Sequence, residues 1–351
     1  MKLKIALIGF GTVGQGFVEL LKEKKDMLKE NYGAEFTLVA ISDPVKGSIY
    51  QDEGIDIGKV LELVRSEGNI RSYEGDLKGW DSLKTIKESN ADVVVEVTPT
   101  DIKTGEPGFT HIKLAFDTGK HVITANKGPV ALFYNELMRE AMDKNLFFKF
   151  EGTVLSGTPV FSFYFNALKG SNINQIRGIL NGTTNFILTE MHKGVSYDGA
   201  LRKAQELGYA EANPDADVKG WDAMAKIVIL ANVIMGGNLK PGDVEVEGIT
   251  GITSEMLRSA LADGKKYKLI ARAWKGGNVV STKVSPEVIG ADDFLYHIDG
   301  VKNAICFETD TIGEILAVGP GAGRRETGYA ILSDLINIHE ALSKIEEQKW
   351  K

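Results

Sequence analysis

Asp222 and Lys226 stand four residues apart in the run WDAMAKIVILA, which puts a carboxylate and an amine on one face of a predicted helix. On a solvated surface this would be an ordinary ion pair, with the acid favoured near the helix start by the dipole. The remaining positions, Ala223 to Ala231, are apolar nearly all round, which is the pattern of a mostly buried helix. Enclosed charges are costly unless matched, so the pattern predicts a polar cavity built around the two groups. A partly buried amine also gives up its proton more readily than a solvated one, which suits it to proton transfer. Just upstream, Glu211, Asp215 and Asp217 crowd with Asp222 into a short loop and helix start.

A second constellation opens the chain. In MKLKIALIGFGTVGQGF, Gly9, Gly11 and Gly14 have G-x-G-x-x-G spacing, directly after the apolar run Leu3 to Ile8 and before the helically spaced Val13 to Leu21. In that context the first glycine allows a tight turn, the second lets backbone approach a pyrophosphate, and the third lets helix and strand pack closely. The phosphates would rest on unpaired N–H groups at the helix start. A plain tight turn is the alternative. Asp43 ends the next predicted strand, 29 residues past Gly14, where it could accept hydrogen bonds from an adenosine ribose or simply cap the turn before Pro44. Lys46, close behind, could favour a 2′-phosphate, so NAD and NADP both remain open. Thr98 and Lys127 follow two further strands, at the carboxyl ends where open α/β sheets place ligands.

The elements that must position these residues fall into two patterns. Through about residue 150, strand runs (Phe36 to Ile41, Asp92 to Val97, His121 to Ala125) alternate with helical segments, which predicts a parallel sheet covered by helices. The charge-rich residues 45–90 read as an insertion with helices, not as a core strand series. Beyond Glu151, the runs Ile173 to Leu180, Lys266 to Ala273, Val279 to Val284, Ala304 to Thr309 and Glu314 to Val318 read as a mixed or antiparallel sheet. Helices are predicted near Thr184 to Met191, Ala200 to Leu207, Gly220 to Met235 and Arg324 to Gln348. The expected fold is α/β: a Rossmann-type doubly wound parallel sheet over residues 1–150, then an α+β substrate and dimerisation domain over 151–318. Residues 319–351 would return a terminal helix to the first domain.

Composition narrows the function classes. The chain has 351 residues, 43% hydrophobic and 25% charged, as in ordinary globular proteins. A net charge of −7 argues against a broad nucleic-acid surface. The sequence shows neither a membrane-span pattern nor a signal-peptide pattern, so the expectation is a cytoplasmic enzyme with no membrane partner. Cys306 is the only cysteine, which excludes an intrachain disulfide, and its apolar strand-like surroundings suit an inert buried thiol. The histidines, His111, His121, His192, His297 and His339, have no metal-ligand spacing.

Taken together, GFGTVGQG, TANKGPVA, GILNGTTNFIL, GYAEANPDADVKGWDAMAK, VEGIT and GPGAGRRETGYAILSDLI span most of the chain. In that order they resemble the homoserine dehydrogenase family, in its short form without a C-terminal regulatory domain. The resemblance implies reversible NAD(P)-dependent interconversion of L-homoserine and L-aspartate 4-semialdehyde, in threonine and methionine biosynthesis, by a homodimer. Carried over position by position, Lys226 is the proton donor and acceptor, and Lys127 lies beside the nicotinamide and the reacting oxygen. Glu211, Asp217 and Asp222 line the substrate pocket. Thr12 and Val13 join Gly9, Gly11 and Gly14 on the pyrophosphate, while Thr98 and Gly323 close around the cofactor. A sodium ion would be held by the backbone carbonyls of Glu151, Val154, Ser156 and Thr158, in a loop that departs from the commoner glycine- and alanine-rich version. The chain ends soon after the terminal helix, so the expectation is that threonine does not inhibit through a separate regulatory domain. The competing readings are a thioester-forming semialdehyde dehydrogenase using Cys306, and an NAD(P)-binding sensor or interaction module that has lost catalysis.

Overall fold

Short β-branched runs build the first sheet of the computed structural model, which describes residues 1–74, 79–277 and 279–349. The chain runs β1 (Lys2–Ile8), α1 (Thr12–Glu23), α2 (Lys25–Tyr32), β2 (Glu35–Asp43), β3 (Gly47–Tyr50), α3 (Ile57–Glu67) and α4 (Ser82–Glu88). It continues through β4 (Val93–Glu96), α5 (Gly108–Asp117), β5 (His121–Thr124), α6 (Lys127–Asp143) and β6 (Phe148–Lys149). The strand order is β3-β2-β1-β4-β5-β6, parallel except for the β2–β3 hairpin. All four residues of β4 are buried, as strands of a sheet covered on both faces must be. The order reverses between β1 and β4, and at such a switch point the carboxyl ends of the strands open a crevice for ligands.

The second stretch comprises α7 (Phe161–Ala167), β7 (Ile173–Ile179), α8 (Gly182–His192), α9 (Tyr197–Glu206), α10 (Asp215–Val218), α11 (Trp221–Met235) and β8 (Glu245–Val246). It ends with α12 (Ser254–Ala262), β9 (Lys266–Gly276), β10 (Val279–Ile289), β11 (Lys302–Thr309) and β12 (Gly313–Pro320). These strands lie in the order β12-β11-β7-β9-β10-β8, antiparallel but for β8. The helices α8, α11 and α12 pack on this sheet.

The last helix, α13 (Arg324–Lys349), belongs to the first compact unit, Met1–Gly157 with Gly323–Lys351, while Thr158–Ala322 forms the other. Its Ile331, Leu332, Leu335 and Ile338 join Leu3, Leu7, Phe17 and Val95 in one buried cluster. The contact with α1 is close enough that a Cβ on Gly16 would meet the Arg324 carbonyl oxygen at 2.1 Å. Arg324 also grips Glu19 through two guanidinium nitrogens, at 2.7 and 3.2 Å.

The charge-rich segment 45–90 departs from expectation. It carries β3, which pairs with β2 at the sheet edge, and Val60, Leu61, Ile70 and Tyr73 from it enter the main core. Charge density concealed this because an edge strand and an amphipathic helix bury only some of their residues. Its residues 75–78 lie outside the described residues. Among the described residues no helix is long and apolar enough to cross a membrane.

Candidate active site

In the second unit the site grows from the end of β7. The strand delivers Leu180 and Asn181 just ahead of α8, whose start Asn181 caps by accepting from the Thr184 N–H at 2.9 Å. The same side chain turns its Nδ2 outward to donate to Asp217 Oδ1 at 2.7 Å and to Asp222 Oδ2 at 3.0 Å. Asp222 Oδ2 in turn pairs with Lys226 Nζ at 2.7 Å, and the amine donates to the Leu180 carbonyl at 2.7 Å. Lys226 is only 6% exposed, and α11 around it is buried from Ala223 to Met235. The buried ion pair anticipated from i, i+4 spacing is therefore present, with the two residues after β7 supplying its extra acceptor and donor.

Burial, aided by the neighbouring Asp222 charge, raises the Asp217 carboxyl above the usual carboxylate range, against the pull of Asn181 and Lys226. The cluster thus holds a fixed amine beside carboxyl groups. Such a group can polarise an oxygen as an ammonium and accept a proton as an amine. Two acids of the crowded loop lie outside this hydrogen-bond network. Asp215 pairs with Lys219 at 2.7 Å on the exposed side of α10, and Glu211 is exposed, its main-chain carbonyl accepting from Gln205. Asn181 was not singled out from the sequence; its signal was a capping residue between a strand and a helix in GILNGTTN.

In the first unit the site is made of main chain. Gly9 has φ +97°, and a Cβ there would lie 2.7 Å from the Val97 carbonyl oxygen. At Gly14 a Cβ would meet the Gly9 carbonyl at 2.4 Å, whereas one on Gly11 would meet nothing within 4 Å. The turn is thus closed on the protein side and open in front. Helix α1 has no side-chain cap and no acid in its first turn, which leaves the N–H groups near Thr12 and Val13 suited to an anion. These features fit a dinucleotide pyrophosphate.

Asp43 adopts the turn-capping arrangement. Its Oδ1 accepts from the N–H groups of Val45 and Lys46 at 2.8 and 2.7 Å, and its Oδ2 accepts from the Phe10 N–H at 2.7 Å. The carboxylate therefore ties the β2–β3 turn to the glycine turn. Lys46 Nζ donates to the Gly68 carbonyl at 2.7 Å. Thr98 follows β4, and Lys127 is the half-buried first residue of α6, directly after its cap Asn126. Gly323 immediately precedes α13 and accepts from the Thr327 N–H at 3.0 Å.

Of the carbonyl loop, Glu151, Val154 and Ser156 fall in the first unit and Thr158 opens the second. Ser156 has φ +53°, its hydroxyl lies 2.7 Å from that of Thr327, and the Glu151 N–H donates to buried Asp334 at 2.9 Å. Among the described residues no group of three or more His, Cys, Asp or Glu side chains could hold a metal ion. Cys306 is buried, and desolvation pushes its thiol up to about 12, which disfavours a thiolate nucleophile.

Comparison with known proteins bears on both units. Residues 9–151 match the family model for the NAD-binding domain of homoserine dehydrogenase, and residues 159–336 match that of homoserine dehydrogenase itself. The homoserine dehydrogenase of Methanocaldococcus jannaschii is 45% identical over 97% of this chain and 100% of its own length. An NAD(+)-dependent homoserine dehydrogenase of Pseudomonas canavaninivorans is 38% identical over 98% of each chain. The structure of a hyperthermophilic archaeal homoserine dehydrogenase in complex with NADPH is similar at TM-score 0.81 and 31% identity, covering 96% of this chain and 97% of that one.

Proposed function

The chain belongs to the homoserine dehydrogenase family, and from that membership we propose how its residues perform the NAD(P)-dependent interconversion of L-homoserine and L-aspartate 4-semialdehyde. The nicotinamide cofactor, when bound, supplies or accepts the hydride. Gly9, Gly11, Thr12, Val13 and Gly14 hold its pyrophosphate on main-chain N–H groups, and Thr98, Lys127 and Gly323 complete its site. Asp43 braces that turn, and a carboxylate with three donors still has lone-pair capacity for a ribose hydroxyl. The nearby pair of Asp43 and Lys46 leaves the choice between NAD and NADP to titration with each.

Lys226 acts on the proton. In the oxidative direction its amine takes the hydroxyl proton of homoserine as C4 loses hydride; in the reductive direction its ammonium protonates the aldehyde oxygen. Such assistance is worth about 10²–10⁴-fold in rate. The substrate ammonium is held by Glu211 and Asp222, in charge-assisted contacts that orient C4, and Asp217 lines the same pocket. The observation that carries this reading is the buried Lys226 amine, fixed by Asp222 and Leu180 inside an otherwise apolar helix. Homoserine-dependent appearance of reduced nicotinamide absorbance tests it. An intact protein that binds cofactor but never turns over would instead be the sensor.

A sodium ion on the carbonyls of Glu151, Val154, Ser156 and Thr158 would brace its loop. Assembly as a homodimer through the second unit would use the sheet edge at β12, where Val318 is 44% exposed. Light scattering of the purified chain measures it. A cytoplasmic location suits an enzyme of threonine and methionine biosynthesis whose single thiol is free and buried.

A further inference from the structure

Glu96, the last residue of β4, is fully buried, a rare place for a carboxylate. Its Oε1 accepts from the Thr98 N–H at 3.0 Å and also from the Thr98 hydroxyl. Oε2 accepts from the Thr124 hydroxyl at 3.1 Å, and His111 Nδ1 lies 3.6 Å from Oε1. Thr124 Oγ1 accepts from the Asn126 N–H at 3.0 Å. Asn126 then links both arms: its Nδ2 donates to the carbonyls of Thr98 and Pro99 at 3.3 and 3.4 Å, and its Oδ1 caps α6 through the Gly128 N–H at 3.2 Å. Gly108 yields space to this network, since a Cβ there would lie 2.7 Å from Asn126 Nδ2 and 3.1 Å from Glu96 Oε2.

Two loops at the ends of neighbouring parallel strands, one bearing Thr98 and one opening into Lys127, are thus tied to one carboxylate. An apolar residue closing β4, like Val93 to Val95 before it, would avoid the desolvation cost of that charge. We propose that Glu96 is a positioning residue for the dehydrogenase reaction, fixing Thr98 directly and Lys127 through Thr124 and Asn126. This rests on the assignment of Thr98 and Lys127 to the cofactor and the reacting oxygen. Geometry, more than charge, is what Glu96 supplies. A glutamine there could still accept from Thr98 and donate to Thr124 Oγ1, whose own proton can remain on the Glu96 carbonyl, an acceptor 2.9 Å away.

The test is a double-mutant cycle with two readouts, kcat and the dissociation constant of reduced cofactor measured by fluorescence titration. Glu96→Ala should lower kcat and weaken cofactor binding by about tenfold or more each, and Glu96→Gln should recover most of both. If Glu96 acts through Lys127, adding Glu96→Ala to Lys127→Ala should cost little further kcat. Losses that multiply, or a Glu96→Ala protein with native kcat and affinity, would overturn the proposal. Should Glu96→Ala not fold, Thr124→Val cuts the same link with an isosteric side chain and must show the same non-additivity. A Lys127→Ala protein of normal rate would instead sink the underlying assignment of Lys127, so the two failures are distinguishable.

Discussion

The glycine turn of the first unit and the Lys226 cluster of the second solve opposite problems. The turn removes side chains so that main-chain N–H groups can face a ligand, and its specificity is a matter of shape. The cluster brings charged side chains into an apolar helix and satisfies each with a partner from elsewhere in the chain. Shape of the first kind is intolerant of added atoms. Charge of the second kind is intolerant of lost ones, because the partners stay buried.

That contrast can be broken most directly at Lys226. Lys226→Ala should lower kcat by at least about 10²-fold with cofactor affinity nearly unchanged, since the amine is assigned to the proton and not to the dinucleotide. A near-native rate would erase the distinction. Gly14→Ala tests the opposite pole. Its Cβ would press 2.4 Å from the Gly9 carbonyl, and overpacking of about 1–3 kcal/mol should weaken cofactor binding by about 5- to 150-fold. Its homoserine KM at saturating cofactor should stay put; a shift there would mean that the effect is not confined to the turn.

Asp217→Asn sharpens the comparison within the charged cluster. The changed pocket lining should raise the homoserine KM by up to about tenfold, the scale of one lost hydrogen bond. Stability should move the other way, with a sign set by linkage. Asp217 is raised in the folded protein, so its folded form holds a proton that the unfolded chain releases from about pH 4 upward. The stability it gives is complete at low pH and is lost as pH rises through the folded value. Asparagine cannot ionise, so the Tm difference, variant minus native, should grow as pH rises above about 4. A difference that is flat with pH would show that Asp217 carries no such strain. Smallest of all, Cys306→Ser should stay within about twofold of the native rate, and the native thiol should resist disulfide reagents near pH 8, given its burial.

The same division governs how much could be read from sequence. The glycine turn is local: strand, G-x-G-x-x-G and helix follow one another, so residues 3–21 suffice to see it. The strands β1, β2, β4 and β5 were equally legible, because their buried stretches are short apolar runs. The i, i+4 pair of Asp222 and Lys226 could be read on its helix, but Asn181 and the Leu180 carbonyl stand more than 40 residues away and contribute through position. Asp43 shows the limit of a local reading, since its position at the strand end suited a ribose acceptor while the Phe10 N–H that it also binds lies 33 residues upstream. Glu96 left a faint mark, a lone acid inside the run VVVEV, easily taken as part of the strand. The short β3, β6 and β8 left less, because two- to four-residue strands have no room to show a period.

Helix α13 carries a consequence for how the protein is made. The wall of the first core that Ile331, Leu335 and Ile338 provide is translated only after all of Thr158–Ala322. The nucleotide-binding module therefore leaves the ribosome as an unfinished half, its face on α1 uncovered, while all of Thr158–Ala322 is translated. A fragment stopping at residue 157 should expose that apolar face and aggregate, whereas supplying residues 323–351 in trans should rescue it.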